Sequence, residues 1–226
     1  MPSPTALIEQ AALELQPLLE RLVFVGGATV ELLLTDKAAG PVRPTNDVDV
    51  ATHVSRRSEL SKLEERLTGL GFEPDQEGPL CRWKKGSLVL DVMTDDGEMQ
   101  GFTNPWYASA IQHARQVTLP SGRTVRVLDA PHLIATKLVA WRDRGQGSMF
   151  SHDLEDILMV LDGRPELSDE LRAAPPPLQD FVRQEFASLL AHPDFEETLQ
   201  GTFTEKGRDT VVLERVRVIA VLTPGP

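Results

Sequence analysis

The sequence predicts an α+β protein in which strands and helices share residues 1–128 and helices alone fill residues 129–226. Three observations carry this. Short β-branched runs before residue 128 stop at glycine or turn residues. Helically spaced apolar stretches are interleaved with them. Beyond Pro131 only the helical spacing persists. With 226 residues, 41% of them hydrophobic, the chain can build one substantial core or a core with a smaller helical appendage. We place a soft boundary near residue 128.

Taken in order, Leu7 to Leu22 puts Leu7, Ile8, Ala11, Leu15, Leu18, Leu19 and Leu22 at helical spacing, with Thr5 as its expected N-cap. Leu22-Val23-Phe24-Val25 reads as a strand, stopped by Gly26-Gly27, and Ala28 to Leu34 is again helical. A loop holding Gly40-Pro41 and Pro44 leads to Asp47-Val48-Asp49-Val50-Ala51, where polar and apolar positions alternate as along a strand. Ser58 to Leu70 reads as a surface helix ending at Gly71, with Ser58 to Ser61 offering capping oxygens. The period then becomes two: Leu80 to Lys85 and Leu88 to Met93 flank Gly86-Ser87 as a hairpin, and Asp91 lies on its second arm. Arg115 to Leu119 and Arg123 to Leu128 form another, around Pro120-Ser121-Gly122. Helices are expected from Pro131 through Trp141, from Ser151 to Leu161, and from Leu178 to Leu190 and beyond.

Composition narrows the function classes. One cysteine, Cys81, excludes an intrachain disulfide, and no basic-then-apolar leader opens the sequence, so a cytoplasmic protein is expected. No stretch approaches the roughly 20 apolar residues a membrane helix needs. Thirty-four acidic against 23 basic residues, net −11, repel polyanions at long range, although Arg82, Lys84 and Lys85 cluster locally, as do Arg142 and Arg144. His53, His113, His132, His152 and His192 lack metal-binding spacing, so zinc is not expected. The chain also lacks the phosphate-loop, nucleophile-elbow and dinucleotide-binding glycine motifs.

What remains is a set of carboxylates. Asp47 and Asp49, two residues apart on a strand, leave the same face roughly 6.5–7 Å apart, a separation that suits hard divalent ions held about 4 Å from each other. Asp91, from a neighbouring strand, supplies a third oxygen ligand or accepts a proton. Asp95 and Asp96 compete for that role but lie in the loop beyond the strand. Glycines without Cβ let backbone amides approach a phosphate, so Gly26, Gly27 and the helix start after them are the expected phosphate cradle, with Thr29 adding a hydroxyl. Asp-x-Asp alone marks a solvent-facing strand end more often than a metal site. Its combination with the glycine turn and with Asp91 has no simple folding explanation.

These residues, Gly26-Gly27-Ala28-Thr29, Asp47-Val48-Asp49 and Asp91, resemble the polymerase β-type nucleotidyltransferase superfamily. Arg43-Pro44-Thr45-Asn46-Asp47-Val48-Asp49 is similar to the Arg-x-Thr/Ser-x-Asp-Ile/Val-Asp segment of its AbiEii-like, type IV toxin branch. The match covers the first half of the chain. It implies a mixed-sheet nucleotidyltransferase core with flanking helices, Mg²⁺ or Mn²⁺ on Asp47, Asp49 and Asp91, and an NTP donor. Arg43 and Thr45 would belong to the nucleotide site. The branch's helical region carries a lysine and a later aspartate, which fall here on Lys137 and Asp153. Many relatives have Gly-Ser where this chain has Gly-Gly, so amides or Thr29 would replace the serine hydroxyl. A toxin-like function implies a tRNA end as acceptor and a cognate antitoxin as partner. A small hydroxylated molecule such as an aminoglycoside, a protein side chain, or a nucleotide-binding module without turnover are the alternatives. Outside the resemblance, Lys137 reads equally as a snorkelling surface lysine, Asp153 as a helix-dipole residue behind Ser151, and Trp83, Trp106, Trp141 and Tyr107 as core.

Overall fold

The computed structural model describes residues 2–101 and 103–222, and these divide into two compact units: one of residues up to 32 with 43–129, the other of 33–42 with those from 130 onward.

The first unit opens with α1 (Pro4–Glu14), followed by β1 (Val23–Val25) and α2 (Val30–Leu33). Ser3, not Thr5, caps α1, accepting from Ala6 N at 3.2 Å. Pro4 then takes the first-turn place that tolerates a missing N–H, and Thr5 turns its hydroxyl to Glu31 Oε2 at 2.6 Å. The helix stops at Glu14 because Pro17 cannot donate to the ladder, and Gln16–Leu18 continues as a 3₁₀ turn that still buries Leu15 and Leu18.

After β2 (Val48–Thr52) come α3 (Arg57–Gly69), β3 (Glu73–Pro74), β4 (Arg82–Lys85), β5 (Leu88–Thr94), α4 (Gly97–Gln100), α5 (Tyr107–Gln112), β6 (Arg115–Thr118) and β7 (Thr124–Val127). Among the described residues the strands form one seven-stranded sheet, ordered β3-β4-β5-β2-β1-β7-β6. It is mixed: β2 runs parallel to β5 and β1 to β7, and the other neighbours are antiparallel. The alternation read from sequence is present in burial. Val48 and Val50 on β2 and Leu88, Leu90 and Val92 on β5 are buried, and α1 packs on both strands. Gly86 carries φ +58, the sign that a two-residue hairpin turn opening on glycine requires.

The second unit is helical: α6 (Ala130–Asp143), α7 (His152–Gly163), α8 (Leu167–Ala173), α9 (Pro176–Leu190), α10 (Phe195–Thr202) and α11 (Arg208–Ala220). Its core is the mutual packing of α6, α7, α9 and α11 around residues such as Leu138, Ile157, Phe186 and Val216. The segment 33–42 belongs to this unit through long-range bonds. The amides of Thr35 and Asp36 donate to Gly163 O at 2.9 Å each, and Arg208 bridges Asp162 at 2.6 Å and Asp36 at 3.2 Å. A Cβ on Gly163 would lie 2.8 Å from Leu34 Cδ2. Among the described residues no helix is long and apolar enough to cross a membrane.

Candidate active site

Strand register assembles the carboxylates in the first unit. One rung of the sheet runs Val25, Asp49, Asp91, Arg82 across β1, β2, β5 and β4. Residues paired in this way project to the same face from strands about 5 Å apart. Asp47 lies two residues before Asp49, and the period of two brings it to that face as well. Asp91 is 7% exposed, whereas Asp47 and Asp49 are half-buried.

Arg82 lies among these acids. Its Nε donates to Asp91 Oδ1 at 2.8 Å, and its Nη2 donates both to Asp91 Oδ2 at 2.7 Å and to Asp47 Oδ2 at 2.9 Å. The fork on Asp91 is the bidentate geometry that makes arginine–carboxylate pairs strong. Its hydrogen bond to Asp91 pushes the Arg82 pKa above the usual guanidinium value, outweighing the opposing effect of burial. Thr45, itself buried, donates its hydroxyl to Asp47 Oδ1 at 2.9 Å and thereby orients the carboxylate. Beside them, burial and then the Asp91 charge push the Cys81 thiol up to about 12.

The glycine turn meets the acids directly. Gly26 has φ +72 and ψ −168, a region open essentially to glycine alone. A Cβ built there would lie 1.9 Å from Asp49 Oδ2, 2.7 Å from its Cγ and 2.9 Å from its Cβ. The residue is therefore glycine because the Asp49 side chain occupies the space a side chain would take. Gly27 opens a 3₁₀ turn, Gly27–Thr29, ahead of the four-residue α2, so the helix start consists of these two short turns. Thr29, expected to offer a hydroxyl to phosphate, is fully buried and donates it to Gly26 O at 2.8 Å, which fixes the turn. Arg43 Nη1 donates to Pro44 O at 3.4 Å.

Lys137 and Asp153 belong to the second unit. Lys137 is 8% exposed, so it is not a snorkelling surface residue. Its Nζ lies 2.9 Å from Asp153 Oδ1 and 2.6 Å from Asp156 Oδ2, and Arg144 approaches Asp153 at 3.2 Å. Burial works against the charge on Lys137, yet Asp156 and Asp153 prevail and raise its pKa. Burial likewise opposes the Asp153 charge, and Lys137 with Arg144 lowers its pKa nonetheless. Ser151 caps α7 as expected, accepting from Asp153 N at 3.1 Å.

Sequence reasoning misses two partners. Arg82 reads there only as part of a basic cluster, although counting outward from the turn pairs 85 with 88, 84 with 89, 83 with 90 and 82 with 91. Asp156, fully buried, follows Asp153 by three residues and so shares its helix face.

The donor set, three carboxylates on one face, suits a hard divalent ion by type. In the arrangement described, no three acidic, histidine or cysteine side chains among the described residues are spaced to hold one ion, and the Arg82 guanidinium is lodged between Asp47 and Asp91.

Comparison with known proteins identifies the family and the fold. A family model described as "Nucleotidyl transferase AbiEii toxin, Type IV TA system" matches residues 10–215. No curated protein matches the sequence. An antigenic nucleotidyltransferase-like protein from Paracoccidioides brasiliensis shares the fold with a TM-score of 0.53 at 19% identity, over 90% of this chain and 97% of that one. A protein from H. pylori described as a nucleotidyltransferase does so with a TM-score of 0.50 at 12% identity, over 97% and 96% of the two chains.

Proposed function

This chain belongs to the AbiEii nucleotidyltransferase toxin family, and on that premise we propose that Asp47, Asp49 and Asp91 are the acids with which it transfers a nucleotide from an NTP to an acceptor hydroxyl. The observation that carries the reading is the in-register pairing of Asp49 with Asp91, set against a glycine whose missing Cβ makes room for Asp49. Asp47, Asp49 and Asp91 would hold Mg²⁺ or Mn²⁺, which when bound neutralises the triphosphate and polarises its phosphoryl oxygens.

The chain's own residues do the rest. The hydroxyl attacks the α-phosphorus and pyrophosphate leaves. Asp91, the most buried of the three acids, either completes that ion site or takes the hydroxyl proton. The backbone amides of Gly26 and Gly27 are the part of the turn we assign to the phosphates, the Cβ space at Gly26 being taken by Asp49, and Thr45 holds Asp47 in orientation. Arg43 is assigned to the nucleotide as well, and the family's lysine and later aspartate fall on Lys137 and Asp153.

We read the acceptor as a tRNA end, as the family resemblance implies, and the physiological partner as a cognate antitoxin, which the toxin-antitoxin description of the family supports. Incubation of the protein with each labelled NTP and cell extract tests it, because label in RNA, in small molecules or in protein separates the acceptor classes. Label in a small molecule or protein would replace the tRNA reading. Asp49→Asn should abolish transfer without lowering the melting temperature, and full activity in that variant would overturn the mechanism. Nucleotide binding by calorimetry without any labelled product would instead indicate a module that has lost turnover.

A further inference from the structure

We propose that Arg82 is a built-in counter-cation of the acidic site, which a divalent ion must displace from Asp91 and Asp47 before the site can load. This rests on the reading of Asp47, Asp49 and Asp91 as ion ligands. Three observations carry it.

The placement of Arg82 is dictated by the fold. The two-residue turn at Gly86-Ser87 fixes the β4–β5 register, and that register sets Arg82 opposite Asp91 on the carboxylate face. Gly78 leaves its stem room, since a Cβ there would lie 3.0 Å from Arg82 Cδ.

The contacts are also those an ion would need. Arg82 takes both oxygens of Asp91 and one of Asp47, through hydrogen bonds of 2.7–2.9 Å. The Arg82 side chain is 28% exposed and that of Asp91 10%, so water screens the pair only in part. A dication bound to the same oxygens would meet a fixed positive charge within a few ångströms.

Charge balance in the ion-free protein supplies the third. Asp49 and Asp91 face each other across adjacent strands, and like charges placed so are destabilising. Asp47 adds a third negative charge on that face. Arg82 offsets part of this repulsion when no ion is bound. The residue thus helps the acids fold together before an ion binds and sets the ion concentration at which the site loads. Its role is positional, since it acts through the acids.

The test uses the full chain as wild type, Arg82→Gln, Arg82→Lys and Asp49→Asn. Bound Mn²⁺ is counted by electron paramagnetic resonance of the free ion, and melting is followed with and without Mn²⁺. Arg82→Gln should bind Mn²⁺ about tenfold more tightly, the lower end of what hydrogen bonds between charged groups are worth. Ion-free, it should melt below wild type, with a larger upward shift on adding Mn²⁺. Arg82→Lys keeps the charge without the fork and should fall between the two. It decides the matter if the glutamine variant does not fold. Asp49→Asn should remove the binding, which identifies the counted ion as the one at this site. Equal or weaker Mn²⁺ binding in both Arg82 variants overturns the counter-cation role while leaving the ion site standing. No Mn²⁺ binding at millimolar ion, in wild type and Arg82 variants alike, overturns the ion reading and this proposal with it.

Discussion

Gly26→Ala is the sharpest perturbation the structure offers, because two independent costs fall on one methyl group. The backbone at φ +72 and ψ −168 lies where L side chains are rarely found, which costs about 1–3 kcal/mol. The new Cβ would stand 1.9 Å from Asp49 Oδ2, against the 3.4 Å where ordinary contact begins, so that oxygen must retreat by about 1.5 Å. Rotating the carboxylate away does not suffice, since the Asp49 Cβ itself would be 2.9 Å away and β2 would have to shift. Displacing a catalytic group by about 1 Å costs on the order of a hundredfold in rate, so transfer of labelled nucleotide should fall at least that far. Melting should drop by several degrees, at roughly 2–4 °C per kcal/mol for a chain of this size. A double-mutant cycle with Asp49→Ala separates the two costs. That change removes the two closest contacts, so Gly26→Ala should cost less stability in its background, and the difference measures the clash. A Gly26→Ala protein that melts and transfers like wild type would refute both the geometry of the turn and its place in the site.

The second unit and the flank of the site give further expectations. Lys137→Met leaves Asp153 and the fully buried Asp156 without their shared ammonium, so urea unfolding reported by Trp141, with the other tryptophans replaced, should lose about 3–5 kcal/mol. Unchanged stability would mean that the pairing contributes nothing. Asp153 has its pKa lowered from 3.8, so its contribution is present above that value and is lost as pH falls through the lower folded value. The same Trp141 signal should therefore weaken below pH 3.8 in wild type and less steeply in Lys137→Met, whereas parallel acid curves would count against the pair as the cause. Cys81 is 3% exposed with its thiol pushed up to about 12, so a disulfide reagent at pH 8 should label it only at the rate of unfolding, and immediate labelling of the native protein would contradict its packing.

How much of this is legible in the sequence depends on the range of the interaction that decides each feature. Period-two alternation is a local property, so Asp49 and Asp91 can be assigned to strand faces without knowing which strands pair. The parallel pairing that puts them side by side joins residues 42 positions apart, and no local pattern reports it. Thr29 misleads because a hydroxyl beside a glycine turn has two acceptors to choose from, a ligand phosphate or the Gly26 carbonyl three residues back, and only the turn geometry selects. Thr5 loses the capping role to Ser3 because Pro4 fits the first helical position and so moves the start forward. Lys137 is ambiguous for a similar reason, since its burial depends on the packing of α6 against α7 rather than on its own neighbours in sequence.

Arg82 differs from all of these. Its place opposite Asp91 follows from a two-residue turn and a count of four pairs outward, and both are local properties of the sequence. A search for ligands to a metal looks for acids and passes over bases. An ion-free carboxylate site nevertheless has to balance its charge inside a folded protein, and a cross-strand arginine is a simple way for a sheet to do so. Where an acid is assigned to the second arm of a tight hairpin, the residue facing it on the first arm should be read with it, because register makes the two a single electrostatic unit.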